Sequence, residues 1–338
     1  MDIHNCASSY MNCQPRINLN LSLERTYGVH RFGWYGVLQS LQSLHYDQGI
    51  LLDGFIERKF CWGNAPGEAR NHPRPYQEPW IGFIHVPPRV PKWFQYEQAP
   101  QSIFATQLWQ ESLKNCLGLF CLSEYHRQWL KRKLDLPIVN LLHPTEIPDK
   151  KFDFHKFLFN PDPKVIQIGW WLRRLNSIYY LPTSKSKKAI LLKNEPYIKF
   201  LITKEREEFN LDITNNHNLV KTINYLPDQQ YDELLTKNIV YLDMYDTSAN
   251  NVIIECIVRN TPILVNPLPA VVEYLGENYP LYFNDRNEAA EKADDLGLIK
   301  KAHEYLRSYS FKEKLSLEYF VKSLSKSSIY KSLPNQIN

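Results

Sequence analysis

Apolar and polar positions alternate most clearly between Tyr241 and Asp285, in YLDMYDTSANNVIIECIVRNTPILVNPLPAVVEYLGENYPLYFND. Ile239–Tyr245 is a nearly continuous apolar run and reads as a buried strand. Asn250–Arg259 carries Val252, Ile253, Cys256 and Ile257 at helical spacing. Thr261–Val265 reads as a second strand, and Ala270–Leu275 as a short helix closed by Gly276. Alternating units of this size predict a parallel sheet with helices on its faces. Ligands of such sheets bind at the carboxyl ends of the strands. The polar segment Asp246–Asn251 falls where a strand ends and a helix begins, and helix N-termini present unpaired N–H groups to anions. Glu255 follows one turn inside that helix. The pattern predicts a nucleotide or phosphate site.

The rest of the chain repeats the theme. Residues 21–31 look extended and end near Gly28, and the helix-like FGWYGVLQSLQSL is entered through Gly33. Two glycines around a strand-to-helix turn let backbone approach a phosphate closely, though a tight turn without a ligand fits equally. Ile50–Phe60 and Trp80–Val86 read as strands, the second reaching His85 before Pro87 and Pro88. Between them, 61–79 is a long polar loop of the kind that is often functional. A helix over 105–115 precedes a buried strand at Leu117–Leu122. Ser123 then caps a basic helix, Glu124–Leu134, and Ile138–Leu142 is another strand. Residues 149–163 break the pattern and hold two prolines, which places a domain boundary there. A second series starts at the strand Val165–Trp170. It continues through strands at Tyr197–Thr203 and Leu219–Tyr225 and a helix at Asp228–Lys237, with a helical tail from Asn287. The expected division is 1–155, 156–310 and a C-terminal helix in 311–338 that packs back on the first domain.

Composition narrows the class. A chain of 338 residues is long enough for two domains, and 43% hydrophobic with 22% charged residues is globular. The net charge of +4 permits an anionic ligand without demanding one. The N-terminus has no apolar stretch for a signal peptide, and no run approaches the ~18–20 apolar residues of a membrane span. Six cysteines are scattered without a C-x-x-C pair, and Cys121 and Cys256 sit in apolar runs. The expectation is reduced, mostly buried thiols in a cytoplasmic protein. The ten histidines show no H-E-x-x-H or similar spacing, so no metal site is expected.

Several motifs in order resemble a known family. YLPDQQYDELL, LDMYDTSANNVIIEC, NTPILV and AVVEYLG are similar to the C-terminal signature of the retaining GT-B glycosyltransferases of glycosyltransferase family 4. SEYHRQWLKRKLDLPIVNLLHPTE and IGFIHVPP resemble segments of the family's N-terminal domain. The resemblance covers roughly residues 25–310. It implies an α/β, GT-B fold: two Rossmann-like domains facing an interdomain cleft, with the sugar donor held mainly by the second and the acceptor by the first. Three positions depart from it. The family's Glu-x7-Glu pair is Thr247 and Glu255, its phosphate loop is replaced by GWWLRRLNS, and its small glycines are Asn250 and Asn251. These changes mark either a divergent subfamily with another sugar or a protein that binds a nucleotide and catalyses nothing.

The resemblance implies a glycosyltransferase moving a sugar from a nucleotide sugar to a glycan, lipid or small molecule, with retention and without metal or other cofactor. Arg173 or Arg174 would neutralise the leaving diphosphate, as guanidinium forks suit phosphate oxygens. Glu255 would bind the ribose hydroxyls. Thr247, Ser248, Asn250 and Asn251 would contact donor sugar and phosphate, or simply cap the helix. His85 would stand at the reaction centre, or be structural. Glu273 matches the family's last glutamate. Trp93 and Phe94 would stack on an acceptor sugar or plug the core. The face of Arg127, Lys131, Arg132 and Lys133 with Trp129 suits a peripheral membrane contact or plain solvent. The alternatives are a non-catalytic nucleotide- or glycan-binding protein and a nucleic-acid-modifying enzyme of the same fold. The second needs a continuous basic groove, for which the charge gives little support.

Overall fold

A computed structural model describes residues 14–21, 33–61, 74–193, 195–214, 216–224 and 226–335. They divide into two compact units. The first holds the described residues of Met1–Pro88, Glu97–Glu146 and Glu313–Asn338. The second holds those of Arg89–Tyr96 and Ile147–Lys312.

The first unit is built on five parallel strands: β1 (Ile17–Asn18), β2 (Ile50–Asp53), β3 (Trp80–Phe83), β4 (Cys116–Cys121) and β5 (Ile138–Asn140). They lie side by side in chain order. All four residues of β3 are buried, as expected of a strand covered on both faces. One core cluster packs Phe60, Tyr76, Trp80 and Trp109 together, and Trp80 Nε1 donates to Ser112 O at 2.8 Å. The helices Leu317–Lys326 and Ser328–Ser332 belong to this unit. Gly118 in β4 admits them: a Cβ there would lie 2.8 Å from Ile329 Cδ1.

The second unit is built on β6 (Lys164–Ile168), β7 (Lys187–Leu191), β8 (Val220–Ile223), β9 (Ile239–Leu242) and β10 (Ile263–Val265). All pairings are parallel, in the order β10-β9-β6-β7-β8. From β6 the chain winds outward through β7 and β8, then returns to the other side of β6 for β9 and β10. The direction of winding therefore reverses between β6 and β9, and this is where open α/β sheets form a crevice at their carboxyl ends.

Two expectations need correction. Tyr197–Thr203 is not a strand but part of the helix Pro196–Phe209, which starts with Pro196 in its first turn and ends at Asn210 in the left-handed conformation. The strand of that region is β7, whose lysine-rich start conceals it; only Ala189–Leu191 is buried. The strand at Ile50 stops at Asp53, whose Oδ1 accepts from Phe55 N at 3.0 Å, and the helix Ile56–Phe60 follows. The second of the two units takes up the chain again at Ile147. Phe152 N donates to Arg259 O and Asp153 N to Thr236 O, so this stretch is stitched into the second unit. Arg89–Tyr96 also groups there, because Phe94 is fully buried with its ring 5.2 Å from Trp171 and 6.2 Å from Trp170.

Candidate functional site

The loops after β6 and β9 meet at the reversal point of the second sheet. Gly169, at φ +78°, ends β6 and turns the chain into Trp170–Ser177. Leu172 also takes a positive φ of 52°. This double turn folds the Arg173 side chain back under the strand end, where it is 8% exposed. Its Nε donates to Ile168 O at 3.2 Å, one terminal nitrogen to Trp171 O at 2.6 Å, and the other to Asn250 Oδ1 at 3.3 Å. A Cβ at Gly169 would lie 3.3 Å from that second nitrogen, so the glycine also makes room for the guanidinium.

Asn250 joins the two loops. Its Oδ1 caps the helix Asn251–Arg259 by accepting from Val252 N at 3.0 Å and Ile253 N at 3.3 Å, while also receiving Arg173. A buried cation and a helix N-terminus therefore share one oxygen, and the positive end of the helix dipole faces the same place. Burial pushes the Arg173 pKa down to about 10, against the pull of Tyr231 and Glu255. The guanidinium stays charged at neutral pH. Among the described residues Arg173 makes no ion pair; its hydrogen-bond acceptors are two carbonyls and an amide oxygen. Glu255 lies near enough to act on this charge, but no carboxylate among the described residues touches the guanidinium directly, the contact that buried ions usually have.

The other residues of the loop are ordered around this point. Thr247 and Ser248 are buried, and Thr247 N donates to Asp246 Oδ1 at 2.9 Å. Asp246 Oδ2 accepts from Arg89 N at 2.9 Å, so the excursion Arg89–Tyr96 is tied to the loop. Glu255 is buried one turn into the helix, and its Oε2 accepts from Tyr231 Oη at 2.7 Å. Trp93 packs edge-on against Tyr245 at 5.7 Å and Phe209 at 6.2 Å.

Arg174 does not share the position of Arg173. It is half exposed, pairs with Asp243 at 3.2 Å and lies over the Tyr245 ring at 4.5 Å. Adjacent residues on an extended turn point apart, so one arginine of the pair enters the site. Asn251 is exposed at the first helical position. Tyr231 was not singled out from the sequence, and Asp246 only as the start of the polar segment. Tyr231 lies in the quoted YLPDQQYDELL, yet only the packing of its helix against Asn251–Arg259 shows that it reaches Glu255.

In the first unit His85 follows β3. Its ring stacks on Phe55 with centroids 4.1 Å apart and meets Trp34 edge-on at 4.4 Å. Both ring nitrogens are buried, and neither has a hydrogen-bond partner among the described residues. Burial, together with His143 and His126, holds its pKa well below the usual value, so the ring is neutral. Glu57, fully buried, accepts from both His85 N and Val86 N at 2.7 Å through Oε1. Burial raises the Glu57 pKa to about 7. Gly33, at φ +52°, starts the helix Gly33–Ser40. Gly28 lies outside the described residues. Among the described residues no group of three His, Cys, Asp or Glu side chains is placed to hold a metal ion, and no helix is long and apolar enough to cross a membrane.

No family model and no curated protein sequence matches this chain. Solved structures do. A S. aureus TarM variant in complex with fondaparinux, alpha-GlcNAc-glycerol and UDP is 16% identical, with a TM-score of 0.56 over 87% of this chain and 59% of that one. The trehalose-6-phosphate synthase OtsA is 12% identical, with a TM-score of 0.57 over 89% of this chain and 76% of that one. Anabaena HepE in complex with UDP-glucose is 9% identical, with a TM-score of 0.55 over 73% and 71%. The chain has the GT-B glycosyltransferase fold. At these identities the likeness is one of fold, and this chain spans 59% of the TarM chain.

Proposed function

We propose that this GT-B chain is a glycosyltransferase that uses a nucleotide-sugar donor. The observation that carries the reading is Arg173: a buried guanidinium without an ion pair among the described residues, at a helix N-terminus and at the reversal point of a parallel sheet. A leaving nucleoside diphosphate would bring negative charge into direct contact with it, which Glu255 does not. In the reaction the glycosidic bond to the diphosphate breaks and charge grows on the phosphate oxygen. A cation fixed in advance stabilises that growth without reorganisation. Glu255, oriented by Tyr231, would bind the ribose diol, and Ser248 and Thr247 the sugar and phosphate side. His85 would act near the transferred sugar.

The proposal includes retention of the anomeric configuration and chemistry without a metal, both drawn from the family resemblance. Two of the similar structures were solved with UDP or UDP-glucose, which makes a uridine donor the first to test. Calorimetry with UDP on wild type and Arg173→Ala tests the site: binding that Arg173→Ala abolishes supports it, and equal binding by both refutes it.

A second reading is favoured by Thr247, which stands where the family has its first glutamate: a protein that binds the nucleotide without transfer. Binding of UDP with no release of it from any nucleotide sugar would select this reading. For membrane contact, Arg127 is paired with Glu124 and Trp129 stacks on Phe104. Exposed Lys131, Arg132 and Lys133 remain the basis of that proposal.

A further inference from the structure

Glu57 and His85 lie in the first unit, on the helix Ile56–Phe60 and just after β3. Glu57 Oε1 is saturated by two backbone donors, His85 N and Val86 N, each at 2.7 Å. This fixes the carboxyl plane. Oε2 is left 3.9 Å from His85 Nδ1 and has no hydrogen-bond partner among the described residues. Phe55 and Trp34 fix the ring from its face and edge. Each group is thus held by other contacts beside the other, and burying two unsatisfied polar groups has a cost unless they serve one another.

We propose that Glu57 is the positioning residue of His85, its ionisation deciding which imidazole nitrogen carries the single ring proton. This rests on reading His85 as a group at the reaction centre. With Glu57 ionised, Oε2 attracts a proton on Nδ1, and Nε2 keeps its lone pair. With Glu57 protonated, Oε1 remains engaged by the two backbone N–H groups, so the acid proton sits on Oε2 and favours a lone pair on Nδ1 across the 3.9 Å gap. The ring proton then resides on Nε2. Between the two states one proton passes from Glu57 to solvent, and the ring proton moves from Nε2 to Nδ1 by exchange with water.

The neighbours leave this titration isolated. The groups facing the pair are Asp53 and Cys61 on the Glu57 side and His126 and His143 on the His85 side. Asp53 accepts from Phe55 N and from Tyr76 Oη at 2.7 Å. Burial moves His126 down to about 3 and His143 to about 4, and pushes the Cys61 thiol up to about 12. Glu57, near 7, is the group of this set with a shifted value in the neutral range.

The test is a two-bond 15N–1H correlation spectrum of the full chain, with the His85 signals assigned by His85→Gln. The expected result is Nδ1–H at pH 8.5, Nε2–H at pH 5.5, and Nε2–H at both values in Glu57→Gln, whose amide N–H presents only positive charge to Nδ1. One tautomer at both pH values in the wild type overturns the proposal, whether or not the variant folds. Nucleotide release from the preferred donor is measured alongside. Glu57→Gln should change turnover at least tenfold with donor KM unchanged and erase the pH limb near 7. A tautomer that switches while turnover stays constant upholds the pairing and removes His85 from the reaction centre.

Discussion

Tyr231 donates its phenolic proton to Glu255 Oε2 at 2.7 Å, and both side chains are buried. The bond fixes one oxygen of a carboxylate that lies one helical turn from the Arg173–Asn250 contact. Glu255→Ala is expected to weaken nucleoside diphosphate binding by about 1–3 kcal/mol, the range for a charged hydrogen bond. Tyr231→Phe keeps the carboxylate and loses only its orientation, so about 1 kcal/mol or less is expected. Isothermal calorimetry on both variants, with melting curves to confirm folding, separates the two. Unchanged affinity in a folded Glu255→Ala removes the ribose role.

The two adjacent arginines should behave differently. Arg173 is buried at the helix N-terminus, whereas Arg174 is paired with Asp243 at the surface. Arg173→Ala is expected to lower turnover by roughly 10²–10³-fold, the scale of losing one preorganised donor to a developing charge. Arg174→Ala should stay within a few fold. Wild-type activity should persist in excess chelator. Equal losses in the two variants, or activity restored only by a divalent ion, contradict the assignment.

Much of the second sheet was legible because its strands are short, apolar and punctuated by glycine, asparagine or proline. Asn250 as helix cap and Gly276 as helix stop follow from local chemistry alone. The strand β7 was not legible: its first two residues are lysines, and its pairing partners β6 and β8 lie far along the chain from one another. Nor was the choice between Arg173 and Arg174, which rests on two positive φ angles at Gly169 and Leu172. A leucine in that conformation leaves no mark in a sequence pattern. The Glu57–His85 pair joins residues 28 positions apart and carries no motif.

Stability should record the buried Glu57. Its folded pKa, near 7, lies above its ordinary value of 4.5, so the folded state holds the proton more tightly. Its contribution is fully present below 4.5 and is lost as pH rises toward 7, with a slope on the order of 1 kcal/mol per pH unit. His126 and His143 act in the opposite sense: their lowered values cost stability as pH falls below 6.5. The difference between wild type and Glu57→Gln cancels the histidines. Denaturation at a series of pH values should show the variant gaining relative stability from pH 4.5 to 7 and none beyond. A constant difference contradicts the buried-acid reading.

Gly118 tests how the C-terminal helices are held on the first unit. A Cβ there would stand 2.8 Å from Ile329 and 3.1 Å from Pro137 O. Gly118→Ala is expected to destabilise by about 1–3 kcal/mol, the usual cost of overpacking. Ile329→Ala should recover part of that loss in a double-mutant cycle. Strict additivity of the two changes would show that the contact is not made.

A panel of nucleotide sugars, assayed for release of nucleoside diphosphate by wild type and by Arg173→Ala, tests the proposed activity most directly. One donor should be cleaved slowly by the wild type, faster when its acceptor is supplied, and at least a hundredfold more slowly by the variant. Binding of a nucleotide without release from any donor, or release that Arg173→Ala leaves intact, would contradict it.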